Sequence, residues 1–144
     1  MEEKKAVVVD LGCGDPERRV SNSVTVDFNY DDVDKVEDVR DGLPFEDNSV
    51  DVMFSQAAFG YMWDNVDELR QRVDEVLRVL KPRGIFVVFD YCQMLDPEEE
   101  DYRNVTPNKM RKIWEEAVGS KTEVTVFGTD KANGPAGYSV LIRK

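Results

Sequence analysis

Val7-Val8-Val9-Asp10-Leu11-Gly12-Cys13-Gly14 is the stretch on which the fold turns. An apolar, β-branched run that breaks on glycine predicts a strand over Lys4 to Leu11, buried on both faces like a central strand of a parallel sheet. The Gly-x-Gly after it makes a tight turn at the carboxyl end of that strand. Bare glycines let a ligand come up against the backbone, and in doubly wound sheets nucleotides bind at such a turn. The dinucleotide pattern Gly-x-Gly-x-x-Gly is not completed, because Glu17 stands where the third glycine would be. No phosphate-loop Lys-Ser/Thr pair follows either. The ligand implied is a nucleoside without a pyrophosphate, which disfavours a nicotinamide dehydrogenase.

Outward from the turn, Ser23 to Phe28 predicts a second strand that ends in Val-Thr-Val-Asp. A carboxylate at Asp27, beside the glycine turn, can accept two hydrogen bonds from a ribose diol. The plainer alternative is a solvated aspartate in an acidic chain. Val33 to Val39 predicts a weaker third strand and Val50 to Ser55 a fourth. Val66, Leu69, Val73, Val76, Leu77 and Leu80 then recur at helical spacing. Asp64 or Asn65 caps that helix, and Lys81-Pro82-Arg83-Gly84 stops it. Ile85 to Asp90 is a fifth strand. Thr106 and Pro107 open a second helix with the stripe Met110, Ile113, Trp114, Ala117 and Val118, ended by Gly119. Thr122 to Phe127 and Tyr138 to Ile142 form an antiparallel pair across Asn133-Gly134-Pro135.

The expected fold is α/β: a Rossmann-like, mostly parallel seven-stranded sheet with the last strand antiparallel, in a single domain over 1–144. The connections after the first and second strands are polar and too short for packed helices. Helices are therefore expected to be missing there, with the two good ones crowding one face. Val7 and Val9 point to one side of the first strand, Ala6 and Val8 to the other. Whichever face lacks helices is expected to be covered by a second copy in a homodimer, or by another protein subunit.

Composition narrows the chemistry. The chain carries a net charge of −11, a field that repels phosphate backbones and anionic membranes. Direct nucleic-acid binding and membrane association are not expected. Histidine is absent and there are two cysteines, Cys13 and Cys92. Ser-His-Asp chemistry and histidine metal sites are therefore out of reach, no metal site is expected, and a reducing cytoplasm is the natural compartment. The apolar runs are too short to span a bilayer, and no leader pattern is visible.

Asp10-Leu11-Gly12-Cys13-Gly14, Asp27, Asp38-Val39, the segment Gly42-Leu43-Pro44-Phe45-Glu46-Asp47-Asn48-Ser49-Val50-Asp51 and Glu75 to Gly84, in that order, resemble the class I S-adenosylmethionine-dependent methyltransferases. The resemblance is to the type 11, ubiquinone-biosynthesis-like branch, in a truncated form. It covers Ala6 to Asp90. Members of that branch read Leu-Lys-Pro-Gly-Gly where this chain has Arg83. The resemblance implies S-adenosylmethionine as cofactor. It places Asp10, Gly12, Cys13 and Gly14 at the methionine end, and Asp27 with Phe28 at the ribose. Asp38 and the backbone of Val39 would meet the adenine, with Ser55 and Gln56 under the transferring methyl group. Asp38 also reads as one more loop carboxylate, and Ser55 and Gln56 as caps of the strand end. No catalytic residue is singled out.

Two functions follow. One is methyl transfer to an unidentified small-molecule or protein acceptor. The other is a non-catalytic scaffold or partner subunit that keeps the cofactor site. Phe59, Tyr61, Trp63, Tyr91 and Tyr102 cluster near the expected mouth, where they either shape a pocket or pack loops onto the sheet. Cys13 reads as a small residue in a tight turn, and Trp114 as core.

Overall fold

The computed structural model describes residues 4–27, 29–91, 107–129 and 137–144. Seven strands are present: β1 (Val8–Leu11), β2 (Val24–Asp27), β3 (Lys35–Val36), β4 (Val50–Gln56), β5 (Leu80–Tyr91), β6 (Glu123–Thr129) and β7 (Gly137–Arg143). They form one sheet in the order β3-β2-β1-β4-β5-β7-β6. Strands β1 to β5 pair in parallel, and β7 runs antiparallel to both β5 and β6. The strand order reverses at β1, so the glycine turn sits at the switch point.

Helix α1 (Val66–Val79) starts where Asn65, not Asp64, accepts a hydrogen bond from the Glu68 amide at 2.9 Å. Helix α2 (Pro107–Val118) ends at Gly119, whose φ of +59° favours glycine. Where the connections after β1 and β2 were expected to lack helices, the described residues hold only the three-residue turn Pro16–Arg18, and two further short turns, Val39–Asp41 and Phe59–Met62, follow β3 and β4. Val39 therefore belongs to a turn and not to the third strand, which is only two residues long.

One expected boundary moves. Leu80 is not on the helix but opens β5, and Lys81-Pro82-Arg83-Gly84 is a bulge inside that strand: Val50 pairs with Leu80, then Val52 with Ile85. Pro82 survives in a strand because the bulge removes it from the ladder. Arg83 takes φ +70°. A Cβ on Gly84 would lie 2.8 Å from the Lys81 carbonyl oxygen, so only glycine fits. The neighbouring segment is clipped to α1. Arg78 donates to the carbonyls of Leu43 and Phe45, and Glu75 accepts from the Leu43 amide.

The two helices touch each other and pack on one face of the sheet. Val9, Leu11, Met53, Phe86, Val88, Val140 and Ile142 point into that core, with Trp114 and Ala117 of α2 above them. Register puts Val8, Val52, Phe54, Val87, Phe89 and Leu141 on the opposite face. There Phe54 is 36% and Phe89 38% exposed, and Phe127 of β6 is 57% exposed. Crowding of the helices on one side is thus present, and the open face is the one that carries Val8, while Val9 is fully buried. Among the described residues no helix is long and apolar enough to cross a membrane.

Candidate functional site

The carboxyl ends of β1, β2 and β4 surround a cavity of about 460 Å³. Gly12, Gly14, Asp27, Asp38 and Val39 line it, together with Tyr30, Glu37, Arg40, Ala57, Ala58, Tyr61 and Met62. Its size is that of a small-molecule or cofactor site.

Asp27 is the hub. Its Oδ2 accepts from the Gly14 amide at 2.9 Å and its Oδ1 from the Asn29 amide at 2.8 Å. A carboxylate has about four lone-pair sites, so both oxygens keep acceptor capacity toward the cavity. The two glycines differ. Gly12 has φ +66°, and a Cβ there would lie 2.5 Å from the Ala58 Cβ, so it is bare to let the segment after β4 pass. Gly14 has φ +55° and open space where its Cβ would be. That free space beside an aspartate leaves room for a ligand to approach the backbone.

Arg19 braces the turn. Its Nε and Nη2 donate to the Gly14 carbonyl at 3.0 and 2.8 Å, and its guanidinium reaches Asp32 at 2.9 Å and lies over the Tyr30 ring. One side chain thus ties the glycine turn to the loop that carries Asn29 and Tyr30, work a following helix would otherwise do. Nothing in the spacing marked Arg19, because its partners are a backbone carbonyl and an aspartate thirteen residues away.

Asp38 caps the Val39–Asp41 turn through the Arg40 amide and is gripped by the Arg40 guanidinium. That contact pulls its carboxyl down to about 2. It faces the cavity as a fixed anion beside Val39, where an exocyclic amine can be received.

A second cavity of about 160 Å³ adjoins the first through Gly12, Gly14 and Ala57, which line both. Asp10, Cys13, Arg18, Gln56 and Phe89 complete it. Asp10 is buried and accepts from the Val20 amide at 2.8 Å; burial pushes its carboxyl pKa up. Burial likewise raises the Cys13 thiol, which keeps it protonated and inert.

The sequence-derived set is thus split between two cavities: Gly12, Gly14, Asp27, Asp38 and Val39 at the larger, Asp10, Cys13 and Gln56 at the smaller. Ser55 reaches neither. It is fully buried on the helix-covered face, because it alternates with Gln56 and only Gln56 points to the open side. Phe28 lies outside the described residues, as do Cys92, Tyr102, Thr106 and the Asn133-Gly134-Pro135 loop. Phe59 and Trp63 are core, Phe59 stacking edge-on against Phe86 at 5.1 Å. Tyr61 is 72% exposed at the rim of the larger cavity. Ala57, with φ +52°, holds a left-handed conformation where the two cavities meet. Among the described residues no cluster of acidic or cysteine side chains is placed to hold a metal ion.

Solved structures share this architecture. A SAM-dependent methyltransferase of Methanosarcina mazei superposes with a TM-score of 0.64 at 16% identity, over 99% of this chain and 94% of that one. A SAM-dependent methyltransferase of Aquifex aeolicus gives 0.59 at 19%, over 96% and 81%. A Haloferax volcanii methyltransferase, solved in complex with the Trm112 methyltransferase activator, gives 0.59 at 19%, over 98% and 83%. No curated protein matches the sequence. The seven-stranded sheet is that of the class I methyltransferases. The family model described as a methyltransferase domain matches residues 9–88, more than half of the chain. This span runs from β1 through the glycine turn into β5 and takes in the lining of the larger cavity and, except for Phe89, that of the smaller. The chain belongs to the methyltransferase-domain family, class I and type 11, whose cofactor is S-adenosylmethionine.

Proposed function

We propose that the chain transfers a methyl group from S-adenosylmethionine to a small-molecule or protein acceptor, with the nucleoside held in the larger cavity. The observation that carries this is the Asp27 hub, a carboxylate fixed by two backbone amides at the mouth of an open glycine cradle. Asp27 would hold the ribose hydroxyls, and Asp38 with the Val39 backbone the adenine. Gly14, Ala57 and Gln56 would line the path of the amino-acid end. The cofactor supplies an activated methyl carbon on a sulfonium. Transfer of that carbon needs alignment more than proton removal, which suits a chain without histidine. Carboxylates from Asp27, Glu37 and Asp38 give the cavity a negative lining that favours a cationic donor over its neutral product.

Calorimetry with S-adenosylhomocysteine tests the reading. Wild-type protein binds it, and Asp27→Ala weakens binding by about ten- to hundredfold, the loss of a charged, bidentate acceptor. Equal affinity in the variant removes the ribose role of Asp27.

A second reading has a specific observation behind it. The apolar open face around Phe54, Phe89 and Phe127 fits a chain that acts beside another, either a second copy or a different subunit. The Haloferax volcanii relative was solved with an activator. In that case the isolated chain keeps the cofactor site but turns over only when paired, or serves as the non-catalytic member. Sedimentation equilibrium separates a homodimer from a monomer awaiting a partner.

A further inference from the structure

We propose that Arg72 of α1 is a positioning residue for the cofactor: its guanidinium clamps together the two turns that wall the larger cavity, and so sets the slot that receives the adenine. This rests on the reading of the larger cavity as the cofactor site.

The two walls come from segments far apart in the chain. Asp38, Val39 and Arg40 form one, and Ala57, Ala58, Tyr61 and Met62 the other. Each contains a short turn closed by its own backbone, Gly42 donating to the Val39 carbonyl and Tyr61 to that of Ala58. Those bonds fix the shape of each turn but not the distance between the two. Arg72 reaches both. Its Nε donates to the Met62 carbonyl at 2.9 Å and its Nη1 to the Arg40 carbonyl at 3.3 Å. A guanidinium carries its donors in a rigid planar fork, so it sets the spacing of the two carbonyls as well as bonding them.

The pattern of α1 aims the side chain there. Leu69, Val73 and Val76 are buried in the core, which fixes the rotation of the helix about its axis. Arg72 then falls on the flank of that stripe, one helical turn before Glu75. Glu75 works the same border, accepting from the Leu43 amide at 2.9 Å. Arg72 also lines a gap of about 10 Å³ with Leu11, Val39 and Phe59. That is no more room than one water needs, so the guanidinium is packed where the turns meet the helix. Arg70 on the same helix is instead engaged with Asp67, within α1. If the clamp is removed, both carbonyls can still bond to water and each turn keeps its own closure. What is lost is the fixed separation of the walls. A planar base gains contact with both only where that separation is set before it arrives.

Calorimetry with S-adenosylhomocysteine and with 5′-methylthioadenosine, which has the same adenosine but no amino-acid end, tests the clamp. Arg72→Ala is expected to weaken both ligands equally, by about tenfold, the scale of one charge-assisted hydrogen bond. Arg72→Lys keeps the packed stem and a point donor without the fork, so it should show a smaller loss, again equal for both. Arg70→Ala, the control from the same helix, should bind both as the wild type does. Millimolar methylguanidinium should restore binding to Arg72→Ala and leave the wild type unchanged, a response that general destabilisation would not give. Thermal melts check the fold of each variant. Ligand-free protein gives a separate reading. The Asp41 and Trp63 amides share peptide groups with the two clamped carbonyls, and their resonances should move together in Arg72→Ala and return together with methylguanidinium. The proposal is overturned if both Arg72 variants bind as the wild type does, if the loss falls on S-adenosylhomocysteine alone, or if methylguanidinium restores nothing. It is equally overturned if Asp41 and Trp63 shift independently or not at all. A wild type that binds neither ligand sinks the cofactor reading instead, and the paired amide shifts then decide the clamp by themselves.

Discussion

The two halves of the sheet are held together by different physics. From β4 to β6 the strands lie under α1 and α2, and apolar side chains such as Phe86, Val140, Ile142 and Trp114 are fully buried between the layers. Around β1, β2 and β3 the connections are turns, and aspartates stitch them to backbone amides. Asp10 takes the Val20 amide, Asp27 those of Gly14 and Asn29, Asp34 that of Thr25, and Asp38 that of Arg40. Part of the acidity of the chain is therefore structural. Polar stitches fix a loop in one geometry with little buried area, which suits a binding rim. Apolar burial supplies most of the stability and none of the chemistry. The halves should respond differently to the same insult.

The largest effect is expected from Trp114→Ala. The side chain is fully buried and rings with Phe59 and Tyr138, so truncation should cost about 3–5 kcal/mol in urea unfolding. Affinity of the surviving folded fraction for S-adenosylhomocysteine should be unchanged. A large loss of affinity would mean that the halves are coupled more tightly than their contacts suggest.

Next comes the turn itself. Gly12→Val should cost about 2–4 kcal/mol, because a left-handed residue gains a β-branched side chain against Ala58. Gly14→Ala, with free space around the new methyl, should cost only about 1 kcal/mol yet still lower cofactor affinity. If both variants fold equally well, the distinction between a structural and a ligand-facing glycine fails.

Acid should loosen the stitched half first. The Arg40 guanidinium holds Asp38 at about 2 against an ordinary 3.8. Contacts with Arg19 and Thr25 hold Asp32 and Asp34 below their ordinary value. Their stabilisation is complete above the unfolded value and drains away as pH falls through the folded one. Asp10 runs the other way, since its raised pKa makes protonation favourable to folding. Amide resonances of Thr25 and Arg40 should therefore shift and lose exchange protection between about pH 4 and pH 2, ahead of those of α2. Simultaneous loss would show one cooperative unit.

The smallest effect should have the opposite sign. Arg83 sits at φ +70° inside the β5 bulge, so Arg83→Gly should stabilise by about 1 kcal/mol and leave both cavities unchanged. A destabilised variant would show that the arginine makes up for its strain elsewhere.

Much of this was legible along the chain. The glycine turn, Asp27 and both helical stripes announce themselves because each depends on local spacing: a backbone angle, a strand end, a period of 3.6. The bulge at Lys81-Pro82-Arg83-Gly84 did not, since proline and glycine read as a stop until register shows the ladder resuming around them. The burial of Ser55 on the helix-covered face left no mark for a related reason. Alternation tells which of two neighbours share a face, but not which face is covered. Arg19 left no local mark, because its partners are set by where two loops meet.

The sequence by itself determined the α/β class, the switch-point turn, the acidic residues around that turn and, among the described residues, the lack of packed helices after the first two strands. Those features follow from the residues' own conformational limits and from their periodicity. Only the tertiary structure decided which face stays open and that Gly12 and Gly14 serve different ends. It alone divides the site between a cofactor-sized cavity and a smaller one beside Arg18. The reason is physical: faces, cavities and ion pairs are defined by groups distant along the chain, and one-dimensional spacing carries no record of which of them meet.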